Sequence, residues 1–392
     1  AQGDSGEDKL VKKALKEGKT PEEIAQFYTV YYHKTETALN ILPAHEEPSD
    51  TQFVPQMIHF IEGLIEKGHA YEKNGNVFFD VTSFAGYGAL SGNTLDKLKV
   101  GARLEEHPDK KNPWDFALWL KAPAGHLMHW TSPWSQGYPG WHIECSAMNY
   151  ATLGTTIDIH TGGEDNIFPH HEAEIAQSEC GYGRPFVRYW VHARHLLVNG
   201  EKMSKSKGNF YKLEDVLERG FSAMDLRLLY LSAHYRSQMN FTWEALSQAK
   251  KNRETLMNTL DRLKKVKVPL TGKASGEIGL FKAAMRNDLN TPRALSILLR
   301  YAANINRVLD EGSFQKLSES VRQDLSIMLF DFFGLKEENV QIPEAITELL
   351  EKRKIARVNK DFAQSDALQD QILSLGYIVE DEQNGQRGRR KR

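Results

Sequence analysis

Between Trp141 and Asn209 the order of apolar patterns limits the fold more than any other stretch of the chain. Trp141 to Ala151 reads as a helix, Thr156 to His160 as an apolar strand, Gly162-Gly163 as a turn, Pro169 to about Cys180 as a helix, and Tyr189 to His192 as a second strand. Strand, turn, helix and strand in that order imply half of a parallel nucleotide-binding sheet. After Leu196-Leu197-Val198 this unit runs into Gly200-Glu201-Lys202-Met203-Ser204-Lys205-Ser206-Lys207-Gly208-Asn209. Lys202 and Lys205 put two ammonium groups three residues apart on a short glycine-bounded loop, with hydroxyls between them. Such a loop can act as a mobile clamp on phosphate, because lysines are compact point charges and small flanking residues let backbone approach a polyanion. A lone K-x-x-K would be no more than a solvated turn.

Elsewhere the pattern is mainly helical. Thr20-Pro21-Glu22-Glu23 signals a helix start, with Thr as N-cap and Pro first, and Ile24, Phe27, Tyr28 and Tyr31 share one face. Met57, Ile58, Ile61, Leu64 and Ile65 predict a second helix ending near Gly68, and Asn74-Gly75 predicts a hairpin. Residues 82–113 read as an irregular insertion. Trp114, Phe116 and Trp119 alternate as in a strand, and the Pro- and Gly-rich stretch 123–140 reads as a boundary. Beyond Lys212 amphipathic helices are predicted at Leu213–Arg219, Met224–Ala233, Trp243–Val268, Ile278–Leu289, Thr291–Leu309, Gln315–Phe332 and Glu344–Asn359. A small helix and strand, Phe362–Leu375 and Tyr377–Glu380, precede a basic tail from Arg387 to Arg392.

Composition excludes little but bounds the rest. At 392 residues, 40% hydrophobic and 26% charged, the chain is expected to form several globular domains. A net charge of −2 provides no global basic field, so any RNA contact must come from local patches. Two cysteines, Cys145 and Cys180, cannot make a disulfide framework. No apolar run is long enough to cross a bilayer and the first eight residues lack signal-peptide regions, so the expected compartment is cytoplasmic, without membrane contact.

Two further constellations could carry chemistry. His170 and Glu174 stand four apart on a predicted helix and Cys145 could add a thiolate, a Cys/His/carboxylate set for zinc with one position open to substrate. A buried small hydrophobe and a surface hydrogen bond are the alternatives. In Ile159-His160-Thr161-Gly162-Gly163-Glu164-Asp165, the glycines could admit a nucleotide and Asp165 could accept a ribose hydroxyl bond; a tight strand-to-helix connection is the simpler reading.

Taken together, Gly-Trp-His-Ile-Glu-Cys-Ser-Ala-Met at 140–148, Asp-Ile-His-x-Gly-Gly-x-Asp at 158–165, Phe-Pro-His-His-Glu-x-Glu-Ile-Ala-Gln at 168–177 and Gly-Glu-Lys-Met-Ser-Lys-Ser-x-Gly-Asn at 200–209 closely resemble cysteinyl-tRNA synthetase, a class I aminoacyl-tRNA synthetase. The resemblance extends from about Asp8-Lys9 to Leu375-Gly376. It implies an α/β fold: an incomplete class I Rossmann-type nucleotide-binding sheet with a connective insertion, followed by an α-helical tRNA-binding domain and a small mixed C-terminal unit. The expected domains are the remainder of the first Rossmann half (1–50), the insertion (51–135), the second half with the lysine loop (136–225), stem-contact and anticodon-binding helices (226–345) and an anticodon-recognition unit (346–392). It further implies one zinc ion per chain on Cys145, His170 and Glu174, Trp141 and His160 in the cysteine pocket, and Asp165 at the ribose. Lys202 and Lys205 would meet the triphosphate of ATP with its Mg²⁺. The partners would be cysteine, ATP and tRNA(Cys), and the chain is expected to be a monomer.

The family's His-x-Gly-His motif and first zinc cysteine do not occur in this sequence. The expectation is therefore a fragment or shortened form of a synthetase, with little cysteine activation by this chain alone. A catalytically inactive relative that binds tRNA and a ligase joining cysteine to a small amine are the competing readings.

Overall fold

The structure is a computed structural model that describes residues 9–93, 107–336, 343–382 and 385–390. By proximity the chain divides into two compact units: Ala1–Phe210 with Leu229–Leu246 and Leu280–Ser296, and Tyr211–Leu228 with Ser247–Gly279 and Ile297–Arg392. No helix among the described residues is long and apolar enough to cross a membrane.

In the first unit the capping signal is realised. The Pro21–Ala38 helix starts at Thr20, whose hydroxyl accepts the Glu23 N–H at 3.2 Å while the Glu23 carboxylate accepts the Thr20 N–H at 2.7 Å. Its apolar face is covered only at one end, against the Lys9–Glu17 helix: Ile24 is buried, but Phe27 is 62% exposed and Tyr28 46%.

The Val54–Glu66 helix buries Met57, Ile61 and Leu64 completely. Strands Ala70–Lys73 and Asn76–Phe79 form the predicted hairpin, Asn74 and Gly75 supplying the two positive φ angles of 57° and 86° that its turn demands. The hairpin continues through Phe116–Lys121, Gln136–Pro139 and Trp130–Thr131 into a five-stranded sheet, antiparallel at every pairing. Two sequence expectations are corrected here. Phe116–Leu120 are buried at every position, so this strand is covered on both faces rather than alternating, and Trp114 lies before it. The stretch 123–140 lies within the sheet rather than at a break, because Gln136–Pro139 pairs with Phe116–Lys121. Of the irregular stretch 82–113, residues 94–106 lie outside the described residues.

Helix and sheet share one core with the segments that follow. Met57, Phe60, Ile61, Phe79 and Trp119 pack in a cluster with Ile143 and Ala147 of the Trp141–Leu153 helix and Ala173 and Ala176 of the Glu172–Tyr182 helix. Gly140 joins the sheet to the first of these helices, and a Cβ there would sit 2.0 Å from the Ala117 carbonyl oxygen. Strand Ile157–Gly163 pairs in parallel with Val187–Ala193, as the strand-helix-strand pattern requires. Gly162 and Gly163 lie within that strand rather than in a turn beyond it. Leu197–Val198 pairs in parallel with Asn240–Phe241 and antiparallel with Glu201–Lys202.

The second unit is mainly helical. The buried Arg253 guanidinium donates to the Asp225 carboxylate at 2.7 Å. The single helix expected over 315–332 is instead a short turn at Phe314–Lys316, a Val321–Ser326 helix and a widened turn at Ile327–Phe332. Glu344–Val358 and Phe362–Ser374 enclose a small core of Ile346, Leu349, Leu350 and Ile372. Of the basic tail, residues 387–390 belong to the strand Gly385–Arg390, antiparallel to Tyr377–Glu382, and residues 391–392 lie outside the described residues.

Because backbone cannot yield as a side chain can, Gly140→Ala is expected to destabilise the chain by about 2–3 kcal/mol. Thr20→Ala, which removes only a cap, should cost about 1 kcal/mol. Denaturant midpoints compare the two; a Gly140→Ala chain as stable as Thr20→Ala would contradict the close approach.

Candidate metal centre and phosphate loop

Three segments of the first unit converge on one buried carboxylate. The Trp141–Leu153 helix presents Trp141 and Cys145, four apart, from its first turns. His170 sits in the turn Ile167–His171 that leads into the Glu172–Tyr182 helix, so that helix begins later than Pro169. The i, i+4 relation nevertheless holds: His170 Nε2 lies 2.7 Å from Glu174 Oε1. From the parallel strands, His160 Nε2 approaches Glu174 Oε2 at 3.3 Å. The two helices are tied by Gln177, whose Nε2 donates to Ser146 Oγ at 3.2 Å and to the Ala173 carbonyl at 3.0 Å.

Cys145, His170 and Glu174 each offer a ligand atom, and all three atoms lie within 4.8 Å of one another. His160, His171 and Glu174 meet the same condition. Glu174 is fully buried, and neither of its oxygens has a well-directed hydrogen-bond donor. Two residues earlier, Glu172 is equally buried but accepts the backbone N–H of Gly88 at 3.0 Å and of Ser91 at 2.6 Å. One carboxylate is thus satisfied by backbone N–H groups, while its neighbour faces only imidazoles and a thiol. An orphaned buried carboxylate beside a thiol and an imidazole fits a soft-to-borderline cation such as zinc.

The surrounding electrostatics agree with that fit. Burial first, then the Glu174 charge, pushes the Cys145 thiol well above its ordinary range, so it keeps its proton until a cation removes it. Burial holds the imidazoles of His142 and His171 down at about 3, the neighbouring histidines adding to the effect, and burial also lowers His160. Burial thus favours the neutral form of these three rings. His142 was not singled out from sequence, although it lies inside a quoted motif. Its Nδ1 is 2.8 Å from His170 Nδ1, which turns His170 Nε2 toward Glu174, the outer support expected of a metal-binding histidine. His171 and His192 make a second such pair at 2.8 Å.

Trp141, 42% exposed, stacks on His170 with centroids 4.4 Å apart. His160 lies edge-on to His171 at 4.8 Å and beside Trp190. Gly162 serves packing as well as any ligand: a Cβ there would fall 2.6 Å from His171 Cε1. At Gly163 it would meet Asp165 Oδ1 at 2.5 Å, and Asp165 itself is exposed in the turn Glu164–Asn166.

The lysine loop begins at a tight turn of Asn199 and Gly200, with φ of 51° and 79°. Asn209, another residue not singled out, closes it: its Oδ1 accepts the Ser204 N–H at 2.8 Å and its Nδ2 donates to the Lys202 carbonyl at 3.2 Å. Lys207 is neutralised by Glu201 at 2.9 Å. Lys202 and Lys205 are both exposed, and the Lys205 ammonium lies over the Phe210 ring, 5.1 Å from its centroid. These two charges remain available to a polyanion.

Comparison with known proteins accords with this geometry. Residues 5–251 match the family described as tRNA synthetases class I (C) catalytic domain, residues 280–335 the DALR domain, and residues 339–389 the cysteinyl-tRNA ligase anticodon binding domain. The cysteine–tRNA ligase of Chlorobaculum tepidum is 41% identical over 97% of this chain and 81% of its own length. That of Thermus thermophilus is 41% identical over 99% of this chain and 84% of its own length. Among solved structures, Mycobacterium tuberculosis methionyl-tRNA synthetase in complex with methionyl-adenylate superposes with a TM-score of 0.60 over 91% of this chain and 86% of that one; at 14% identity this likeness shows the fold alone. The chain therefore belongs to the cysteine–tRNA ligases, within the class I tRNA synthetases.

Proposed function

We propose that this chain carries the zinc cluster and the lysine loop of an enzyme that activates cysteine with ATP and esterifies it to tRNA(Cys), with weak cysteine activation by this chain alone because it holds no His-x-Gly-His motif. The cysteine carboxylate attacks the α-phosphate of ATP, giving cysteinyl-adenylate and pyrophosphate, and the terminal ribose hydroxyl of the tRNA then takes the acyl group. The observation that carries the reading is the buried Glu174 carboxylate, without a well-directed donor, beside Cys145 and His170. Cys145, His170 and Glu174 would hold one zinc ion, with His142 orienting His170. Bound zinc supplies a soft Lewis acid that prefers a substrate thiolate to the harder hydroxyl of serine. Trp141 and His160 wall the cysteine pocket and exclude water. Asp165 accepts a ribose hydroxyl bond, with the Gly162-Gly163 backbone beside it. Lys202 and Lys205 bind the triphosphate, and with Mg²⁺ they balance the charge that develops on the leaving pyrophosphate. A tRNA acceptor, rather than a small amine, is supported by the match to an anticodon-binding domain over residues 339–389. Charging of tRNA(Cys) with labelled cysteine, and not with serine, tests the reading; a chain that binds neither zinc nor tRNA(Cys) would overturn it.

Metal analysis of the purified chain should find about one zinc per chain, falling several-fold in Cys145→Ser and in His170→Ala. After cobalt substitution, added cysteine should produce a thiolate-to-metal absorption band that serine does not. Equal zinc content in both variants would remove these residues as ligands.

Replacing Lys202 and Lys205 together by Ala should weaken ATP binding by about tenfold or more, since each charged contact contributes roughly 1.5–3 kcal/mol. Calorimetric titration gives the constant directly. An unchanged affinity would detach the loop from the triphosphate.

The metal-free chain should also lose stability in acid. His142 and His171 titrate at about 3 when folded and near the usual histidine value of about 6.5 when unfolded. Below that value the unfolded chain binds more protons, so the stability held by the neutral rings is complete above about pH 6.5 and declines as pH falls toward about 3. Tm should therefore drop between about pH 7 and about pH 5, with a shallower slope in His171→Asn. Equal slopes for the two chains would contradict this assignment.

A further inference from the structure

A cavity of about 200 Å³ opens in the first unit where the turn Asp50–Gln52 and the start of the Val54–Glu66 helix meet strand Gln136–Pro139 and the Trp141–Leu153 helix. Its polar groups are two carboxyls, the exposed Asp50 and the half-buried Glu144, with the Thr51 hydroxyl and the His126 imidazole. Glu144 directly precedes Cys145 on the Trp141–Leu153 helix, and the charges of both carboxyls reach the Cys145 thiol. Trp130, Tyr138 and His126 supply aromatic surface, His126 lying flat on Tyr138 with centroids 4.7 Å apart. The His126 ring is fixed by contact of its Nδ1 with the Met128 carbonyl at 2.9 Å. No lysine or arginine lines the cavity, and among the described residues neither carboxyl forms an ion pair. Asp50 and Glu144 are thus two like charges facing one space with no cation between them.

We propose that this cavity binds a free organic cation, a primary ammonium or guanidinium on a short carbon chain, independently of the cysteine and tRNA reading. The two carboxylates take the positive head and the indole of Trp130 attracts it through its π-electrons. Val54 and Met128 give the carbon chain an apolar wall. A hard divalent ion fits less well, because it requires six or more oxygen ligands where this lining is largely aromatic and aliphatic.

Putrescine is the probe, titrated calorimetrically into the full chain without tRNA at low salt. One saturable site is expected, weakened about tenfold or more in Asp50→Asn, the scale of a lost hydrogen bond to a charged group. Trp130→Leu should also weaken it, by removing a cation–π face. Asp50→Asn should leave Tm unchanged or raise it, since it relieves a like-charge contact, so lost binding cannot be ascribed to lost folding. Absence of a saturable site, affinity untouched by Asp50→Asn, a lowered Tm in that variant, or displacement of putrescine by one equivalent of Mg²⁺ would each overturn the proposal.

Discussion

The Glu174 carboxylate sets the terms for everything around it. A charge taken fully out of water costs several kcal/mol unless protein groups replace the lost hydration. Here no backbone N–H does so: both oxygens lack a well-directed donor, and what faces them is the imidazoles of His170 and His160 and the Cys145 thiol. The packing that holds Glu174 in place is ordinary, with Ala173 and Ala176 on its helix and Ile143 and Ala147 on the neighbouring one joining the same core. A cation brought in from outside the chain would supply the balancing charge on the proposed reading. Cys145 belongs to the same electrostatic unit, since the field that burdens Glu174 also keeps the thiol protonated. A cation would relieve both strains at once, by pairing with the carboxylate and taking the proton's place on sulfur.

The lysine loop solves the opposite problem. Its backbone and hydroxyl groups are occupied internally, Ser204 and Lys202 by Asn209 and Ser206 by Ser204, and Lys207 is paired with Glu201. Exposed ammonium groups keep their hydration, so Lys202 and Lys205 cost little while they await an anion. Burial makes the carboxylate demanding, and exposure makes the lysines permissive. A metal would thus be a resident of the first site, and a triphosphate a visitor to the second.

Local signals were legible wherever a few adjacent residues determine geometry. Thr20-Pro21-Glu22-Glu23 reads as a capping box because both hydrogen bonds lie within four residues, and Asn74-Gly75 as a hairpin because its turn needs two positive φ angles. Cys145, His170 and Glu174 could be grouped because two lie four residues apart and Cys145 offered a thiolate from the preceding predicted helix, a set that the long motif resemblance also implies. What escaped depended on partners distant in sequence. The Phe116–Lys121 strand is buried on both sides by elements that alternation cannot reveal, and Gly162 is small for the sake of His171. His142 had no signal of its own, since its task is to support another imidazole across 28 residues. The apolar face of the Pro21–Ala38 helix was read correctly as a face, but periodicity does not say how much of it will be covered.

A TM-score of 0.60 with a methionyl-tRNA synthetase at 14% identity means that backbone alone cannot choose the amino acid. Choice must lie in the few side chains that touch the part of the substrate that varies. Cysteine and serine differ by a single atom, and a pocket that senses only shape separates such pairs poorly. Sulfur and oxygen differ far more in how they bond to a soft cation. On the proposed reading, the unbalanced Glu174 is therefore the source of selectivity: by admitting a cation it lets the chain read the substrate's sulfur through a coordinate bond rather than through a fit of surfaces.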